Sequence, residues 1–298
     1  MEKKLIDIHV HTCPRPTTTR PNGQTYATPE QLIERYDAIG VAMAVILPQA
    51  NPECAHRRLS DDECLAICNE YPCRFIPFCN VDPRYLTNSP EADFSPLLNY
   101  YKERGCKGVG ECAANLPFDD PLVLNLFKHC EACGMPLTFH VATQRGGMYG
   151  LIDELGLPRL ERALAMFPGL IFLGHSQAFW SEISGDVTAQ NRGGYPKGPI
   201  ATGGRVVELM RRYPNLHGDL SAGSGHNAVS RDPEFGCRFM NEFQDRLYFG
   251  TDICAPDTPT PLVGFLKEML DSGGISREVY ERIGWRNAEI LLGLDPQD

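Results

Sequence analysis

The sequence predicts an α/β chain folded as a single (β/α)8 barrel of the TIM type, and three observations predict it. Short apolar runs recur along the 298 residues, helix-like stretches separate them, and polar residues of a few kinds stand where the runs end. The runs cover 5–10, 41–47, 74–81, 107–112, 136–141, 170–174, 216–220 and 247–253. Their ends fall about 35 residues apart, the length of one strand, one helix and two loops. Near-continuous apolar strands alternating with helices imply a parallel sheet covered on its outer face. Eight such units close into a barrel of about 250 residues, so 1–298 is expected to be one domain.

The intervening helices carry end signals. Thr28 is placed as an N-cap before Pro29 at the first helical position, and Gly40 closes that helix. Ser60 precedes Asp61, Asp62 and Glu63, which puts negative charge where a helix dipole favours it. Gly105 and Gly134 stand where helices end, directly before the fourth and fifth strands. The last helix is expected over 276–292. Two long irregular segments, 12–27 and 176–202, follow the first and sixth strands. They therefore belong to the C-terminal face, where such barrels keep their active sites.

Composition narrows the function classes. Lys+Arg 28 against Asp+Glu 38 gives a net charge of -10, which repels phosphate backbones, so no nucleic-acid partner is expected. The longest apolar run, 41–47, is far short of the roughly 20 residues a membrane span needs. The opening MEKKLIDIHVHT has no apolar signal region, and the twelve cysteines read as reduced thiols of a cytoplasmic protein. Cys64, Cys68, Cys106 and Cys130 sit in apolar or helical contexts as small hydrophobes, and the Cys130/Cys133 pair reads as inert packing.

His9 and His11 are the sharpest chemical signal. On a strand, residues two apart share a face, so both imidazoles can reach one metal ion. Burying two imidazoles beside Leu5, Ile6 and Ile8 requires a partner that offsets the cost. Other strand ends supply further donors: His140 in PLTFH, His175 in LIFLGH, Asp252 in LYFGTD and Glu111 in KGVGE. These six form the expected metal set. Imidazole and carboxylate donors without a thiolate favour Zn²⁺, Mn²⁺, Fe²⁺ or Ni²⁺, zinc first.

This pattern resembles the amidohydrolase superfamily of metal-dependent barrels. DIHVHT, YFGTDI and RNAEILLGL resemble its small-barrel branch, which contains aminocarboxymuconate-semialdehyde decarboxylase and related hydrolases. Glu111 departs from members that carry a carbamylated lysine on the fourth strand; Lys107 lies at that strand's start. A glutamate there resembles the deoxyribonuclease-like branch, in which a carboxylate bridges two ions, and so favours two ions over one. The resemblance implies that His9, His11 and Asp252 hold the first ion, and His140 and His175 the second, with Glu111 between. It implies a metal-activated hydroxide, with Asp252 as general base, acting on a small-molecule ester, lactone, amide or phosphoester. The alternative it leaves is non-oxidative decarboxylation of an unsaturated or aromatic acid at a one-ion site, with His140 completing the shell and His175 orienting the water.

Weaker candidates surround that set. His226, Arg145 and Gln144 are possible substrate contacts. Arg15, Arg20, Arg192 and Lys197 place positive charge in the long loops, which suits an anionic substrate. Trp180 is either a pocket wall or loop packing. His56, His129 and His217 read as structural. A homo-oligomer is compatible with the sequence.

Overall fold

The computed structural model describes residues 4–15, 19–20, 22–53 and 59–295. Its strands are β1 (Leu5–Val10), β2 (Val41–Ile46), β3 (Phe75–Pro77), β4 (Val109–Cys112), β5 (Leu137–Ala142), β6 (Leu151–Ile152), β7 (Phe172–His175), β8 (Leu216–Asp219) and β9 (Leu247–Tyr248). Every strand pairing is parallel. One ladder runs β1-β2-β3 and a second runs β4-β5-β7-β8-β9. Single parallel bridges, Cys79 to Val109 and Val10 to Ile253, join the ladders on both sides. The Lys107 N–H donates to the Pro77 carbonyl at 2.9 Å and the Ile8 N–H to the Phe249 carbonyl at 3.0 Å, so the ring closes. The eight expected runs are its staves, in order. The addition is β6, which pairs with β5 off the ring path and was hidden in sequence because it is only two residues long.

The helix ends follow the expected chemistry. Thr28 and Gln31 form a reciprocal capping box, and Gly40 ends that helix in the left-handed region at φ 83°. Ser60 and Glu63 repeat the box on the next helix. The last helix runs as Arg277–Glu281, a π-type turn Arg282–Arg286, and Asn287–Leu292. It packs Trp285, Ala288 and Leu292 against Ile6, Ile8, Val45, Ile76 and Leu173.

The β1–β2 ladder is irregular between Asp7 and Val10. Asp7 is fully buried and takes the backbone N–H of His9 at 3.0 Å, the Thr251 N–H at 2.9 Å and the Tyr36 hydroxyl at 2.7 Å. The carboxylate thus satisfies two backbone N–H groups and a buried hydroxyl. Burial still pushes its pKa up, to about 6.

Of the loop charges read as substrate contacts, Arg192 is corrected by the structure. It is 2% exposed, with its guanidinium 2.7 Å from Glu182 and 2.7 Å from the Asp153 carbonyl. The long loop folds back on itself and spends this arginine on its own packing. Burial pushes Glu182 up to about 7 and lowers Arg192, so their attraction only partly offsets desolvation. Arg192→Met alone is expected to cost about 3 kcal/mol in urea denaturation, and Arg192→Met with Glu182→Met to recover most of it.

Candidate metal centre

All six expected donors converge on the C-terminal end of the ring. His9 Nδ1 lies 2.6 Å from Asp219 Oδ2 and His11 Nδ1 lies 3.1 Å from the Leu47 carbonyl. A carbonyl only accepts, so His11 Nδ1 is the donor and Nε2 is the nitrogen turned to the centre. The two Nε2 atoms face each other at 3.1 Å, with His9 fully buried and His11 5% exposed. Two lone pairs so placed repel unless a proton or a cation stands by them.

Two carboxylates straddle the imidazoles. Glu111 Oε2 lies 3.6 Å from His11 Nε2, while Glu111 Oε1 lies 4.0 Å from His175 Nε2. Asp252 does the same, with Oδ1 3.6 Å from His11 Nε2 and Oδ2 4.0 Å from His175 Nε2. Donor atoms of Glu111, His140 and His175 lie within 4.8 Å of one another, as do those of His9, His11 and Glu111. Glu111 Oε1 and His140 Nδ1 are buried without a hydrogen-bond partner. A buried carboxylate oxygen without a partner beside imidazole nitrogens, as Glu111 Oε1 is, is what a divalent cation satisfies, so the residues fit a metal.

The electrostatics agree. Burial alone would lower His9, but the carboxylates of Asp219, Asp252 and Glu111 outweigh it and raise the imidazole to about 10. Burial likewise opposes the charged forms of Glu111 and Asp219, yet the surrounding imidazoles hold both carboxyls far below their ordinary range. His140 is pushed down to about 4 by burial.

Backbone detail explains the placement. Gly110 precedes Glu111 at φ +145°, and a Cβ there would stand 2.9 Å from Thr138. A Cβ on Gly150 would stand 2.7 Å from His140 Nδ1. Asp252 sits in the left-handed region at φ 51°, held there by its N–H donating to the His9 carbonyl at 2.9 Å. Asn80 donates at 2.8 Å to the Glu111 carbonyl and at 2.8 Å to the Pro48 carbonyl.

A cavity of about 700 Å³ opens over the centre, and Arg20, Tyr26, Tyr149 and Tyr195 are among its walls. Tyr149 lies against His140, ring centroids 4.5 Å apart. Gln144 and Arg145 stand exposed on the same loop, which turns Met148 and Tyr149 to the cavity instead. His226 lies on the helix Ala222–Ser230 and packs edge-on against Phe265, while Ala222 and Ser224 of that helix reach the cavity. Trp180 is buried packing; its indole N–H donates to the Asp219 carbonyl at 2.8 Å. His129 bonds Ser95 and His217 bonds Tyr248, both away from the centre. His56 lies outside the described residues.

Sequence reasoning missed Asp219 and Cys254. The Asp219 carboxylate touches two imidazoles, His9 at 2.6 Å and His175 at 3.3 Å. The run LHGDL offered the signal, a lone carboxylate at a strand end. Cys254 stands beside the expected donors, its thiol donating to Asp252 Oδ1 at 3.6 Å. Its signal was the two-residue spacing in TDIC.

The family model described as amidohydrolase matches residues 6–294. No curated protein matches the sequence. Among solved structures, the chain is similar to an uncharacterized TIM-barrel protein from Bordetella bronchiseptica, at 19% identity and TM-score 0.66, covering 97% of this chain and 98% of that one. It is similar to a dihydroxybenzoic acid decarboxylase from Polaromonas sp. JS666 with bound manganese and 2-nitroresorcinol, at 16% identity and TM-score 0.63, covering 100% and 98%. It is also similar to a probable 2-pyrone-4,6-dicarboxylic acid hydrolase from Acinetobacter baumannii with citric acid bound, at 14% identity and TM-score 0.60, covering 98% and 100%.

Replacing Asp219 by Asn keeps the shape but removes the charge that fixes His9. Metal affinity, followed by competition with a chelator, is expected to fall about 10–100-fold while the fold is retained.

Proposed function

The chain belongs to the amidohydrolase family, and from that premise we propose that it is a divalent-metal-dependent hydrolase of small molecules with an ester, lactone, amide or phosphoester bond. The observation that supports this most is Glu111, whose two oxygens face different imidazole pairs. His9, His11 and Asp252 would hold one ion, His140 and His175 a second, with Glu111 shared; zinc suits these donors best, with manganese, iron or nickel as alternatives. A divalent cation bound there supplies Lewis acidity, polarising the scissile carbonyl or phosphoryl oxygen and lowering the pKa of water from 15.7 toward about 7.

The chain's own groups then divide the work. An Asp252 carboxylate oxygen, open to the cavity, takes the proton of the attacking water and delivers it to the leaving group. Ser221 fixes the His175 ring through Nδ1 at 3.0 Å. Arg20 supplies a cationic wall: it is half-buried 5.3 Å over the Tyr26 ring and forms no ion pair with a described residue. An anionic substrate group suits it. The domain of function is the barrel over 1–298, and the cytoplasm is its proposed compartment, since every described cysteine is free.

A second reading, decarboxylation of an unsaturated or aromatic acid at a one-ion site, draws support from the aromatic cavity wall at Tyr149 and from the fold shared with the decarboxylase named above. Metal analysis separates the two, with two equivalents per chain expected for hydrolysis and one for decarboxylation. Asp252→Asn is expected to keep metal through the remaining donors and to lower kcat by about 10²–10⁴-fold; full activity in that variant would refute Asp252 as the base. Arg20→Gln is expected to raise KM about tenfold or more for anionic substrates and to leave neutral ones unchanged.

A further inference from the structure

Cys254 is a sulfur donor that the fold delivers to the centre. Donor atoms of His11, Asp252 and Cys254 all lie within 4.8 Å of one another. The thiol is 9% exposed and lies on the cavity wall. Its backbone is pinned by the Ala27 N–H on its carbonyl at 2.7 Å, so the side chain has little freedom to leave.

Two edges of this triad have the spacing of a coordination shell. With metal–sulfur bonds of about 2.3 Å and metal–nitrogen or metal–oxygen bonds of about 2.0–2.2 Å, tetrahedral donors stand roughly 3.4–3.6 Å apart. The Cys254 thiol donates to Asp252 Oδ1 at 3.6 Å, a contact in which a cation would replace the proton, and the His11 Nε2 to Asp252 Oδ1 edge is also 3.6 Å. An independent sign of a cation stands on the other flank, where Glu111 Oε1 is buried without a partner.

We propose that Cys254 is a further metal ligand, giving its sulfur to the ion held by His11 and Asp252 and biasing that position toward zinc over manganese. The inference rests on the metal centre proposed above. As the sulfur–metal bond forms, the S–H bond breaks and its proton leaves to solvent, with no change in oxidation state. Soft sulfur then favours zinc, whereas a centre of imidazole and carboxylate alone accommodates manganese. Cys13 is the internal control. It shares a small buried cluster with Cys254 and Tyr26, but its thiol donates to the Arg15 carbonyl at 3.3 Å.

Cobalt(II) loaded in place of zinc reads the ligand directly. The wild-type protein and Cys13→Ser are expected to show a sulfur-to-cobalt charge-transfer band in the near ultraviolet. Cys254→Ser is expected to lose that band while still binding cobalt, and Cys254→Ala repeats the comparison without a hydroxyl. Zinc affinity should fall at least about tenfold in Cys254→Ser with little change for manganese. Cobalt bound to the wild type without the band, or a band that survives both Cys254 variants, overturns the ligand. Failure of the wild type to bind cobalt, zinc or manganese overturns the metal centre itself.

Discussion

The centre depends on one short contact, the 2.6 Å pairing of His9 Nδ1 with Asp219. An imidazole can turn either nitrogen to a site, and nothing in the ring itself chooses between them. Asp219 makes the choice for His9 and approaches His175 Nδ1 at 3.3 Å as well. The carboxylate cannot drift, because the Ser221 N–H donates to its other oxygen at 2.9 Å and the Trp180 indole holds its carbonyl at 2.8 Å. A buried anion thus orients two imidazoles at once. Its desolvation is offset by the charge it stabilises in His9.

The closed ring supplies the rest. Parallel strands all end on one face, so donors far apart in the chain share a rim without any being adjacent in sequence. Closure matters most for Asp252, which lies beyond the last strand yet donates its N–H to His9 at 2.9 Å on the first. The backbone around the rim is held in unfavourable conformations at Asp252, at φ 51°, and at Ser176, at φ 110°, the residue after His175. Such positions persist only where surrounding hydrogen bonds over-determine them, and they gather where side chains must be aimed.

Much of this was legible in the chain. The eight strand runs, the capped helices and the six donors all follow from periodicity, end signals and the positions of imidazoles and carboxylates. What stayed hidden was of another kind. Asp7 is two residues from His9, yet its carboxylate takes the Tyr36 hydroxyl of the covering helix, beside a register shift on β1. Arg192 looked like loop charge because sequence does not show a loop folding back on Glu182. Cys254 looked like one more small hydrophobe among twelve cysteines, since a thiol's role is set by what lies across from it. In each case the deciding contact is set by how the backbone folds and not by the residue's own type.

Fold likeness alone does not choose the chemistry, because a decarboxylase and a hydrolase match this barrel at 16% and 14% identity. The fourth strand carries more information. A one-ion site needs only His9, His11, one further imidazole and Asp252. It would leave Glu111 Oε1 buried with no hydrogen-bond partner, an omission that costs about 1–3 kcal/mol or more for a charged group. Gly110 is conformed to put the glutamate there, and Asn80 holds its carbonyl at 2.8 Å. A second cation between Glu111 and the His140–His175 pair would turn that cost into a bond, which is the support that the proposed two-ion reading draws from the fourth strand.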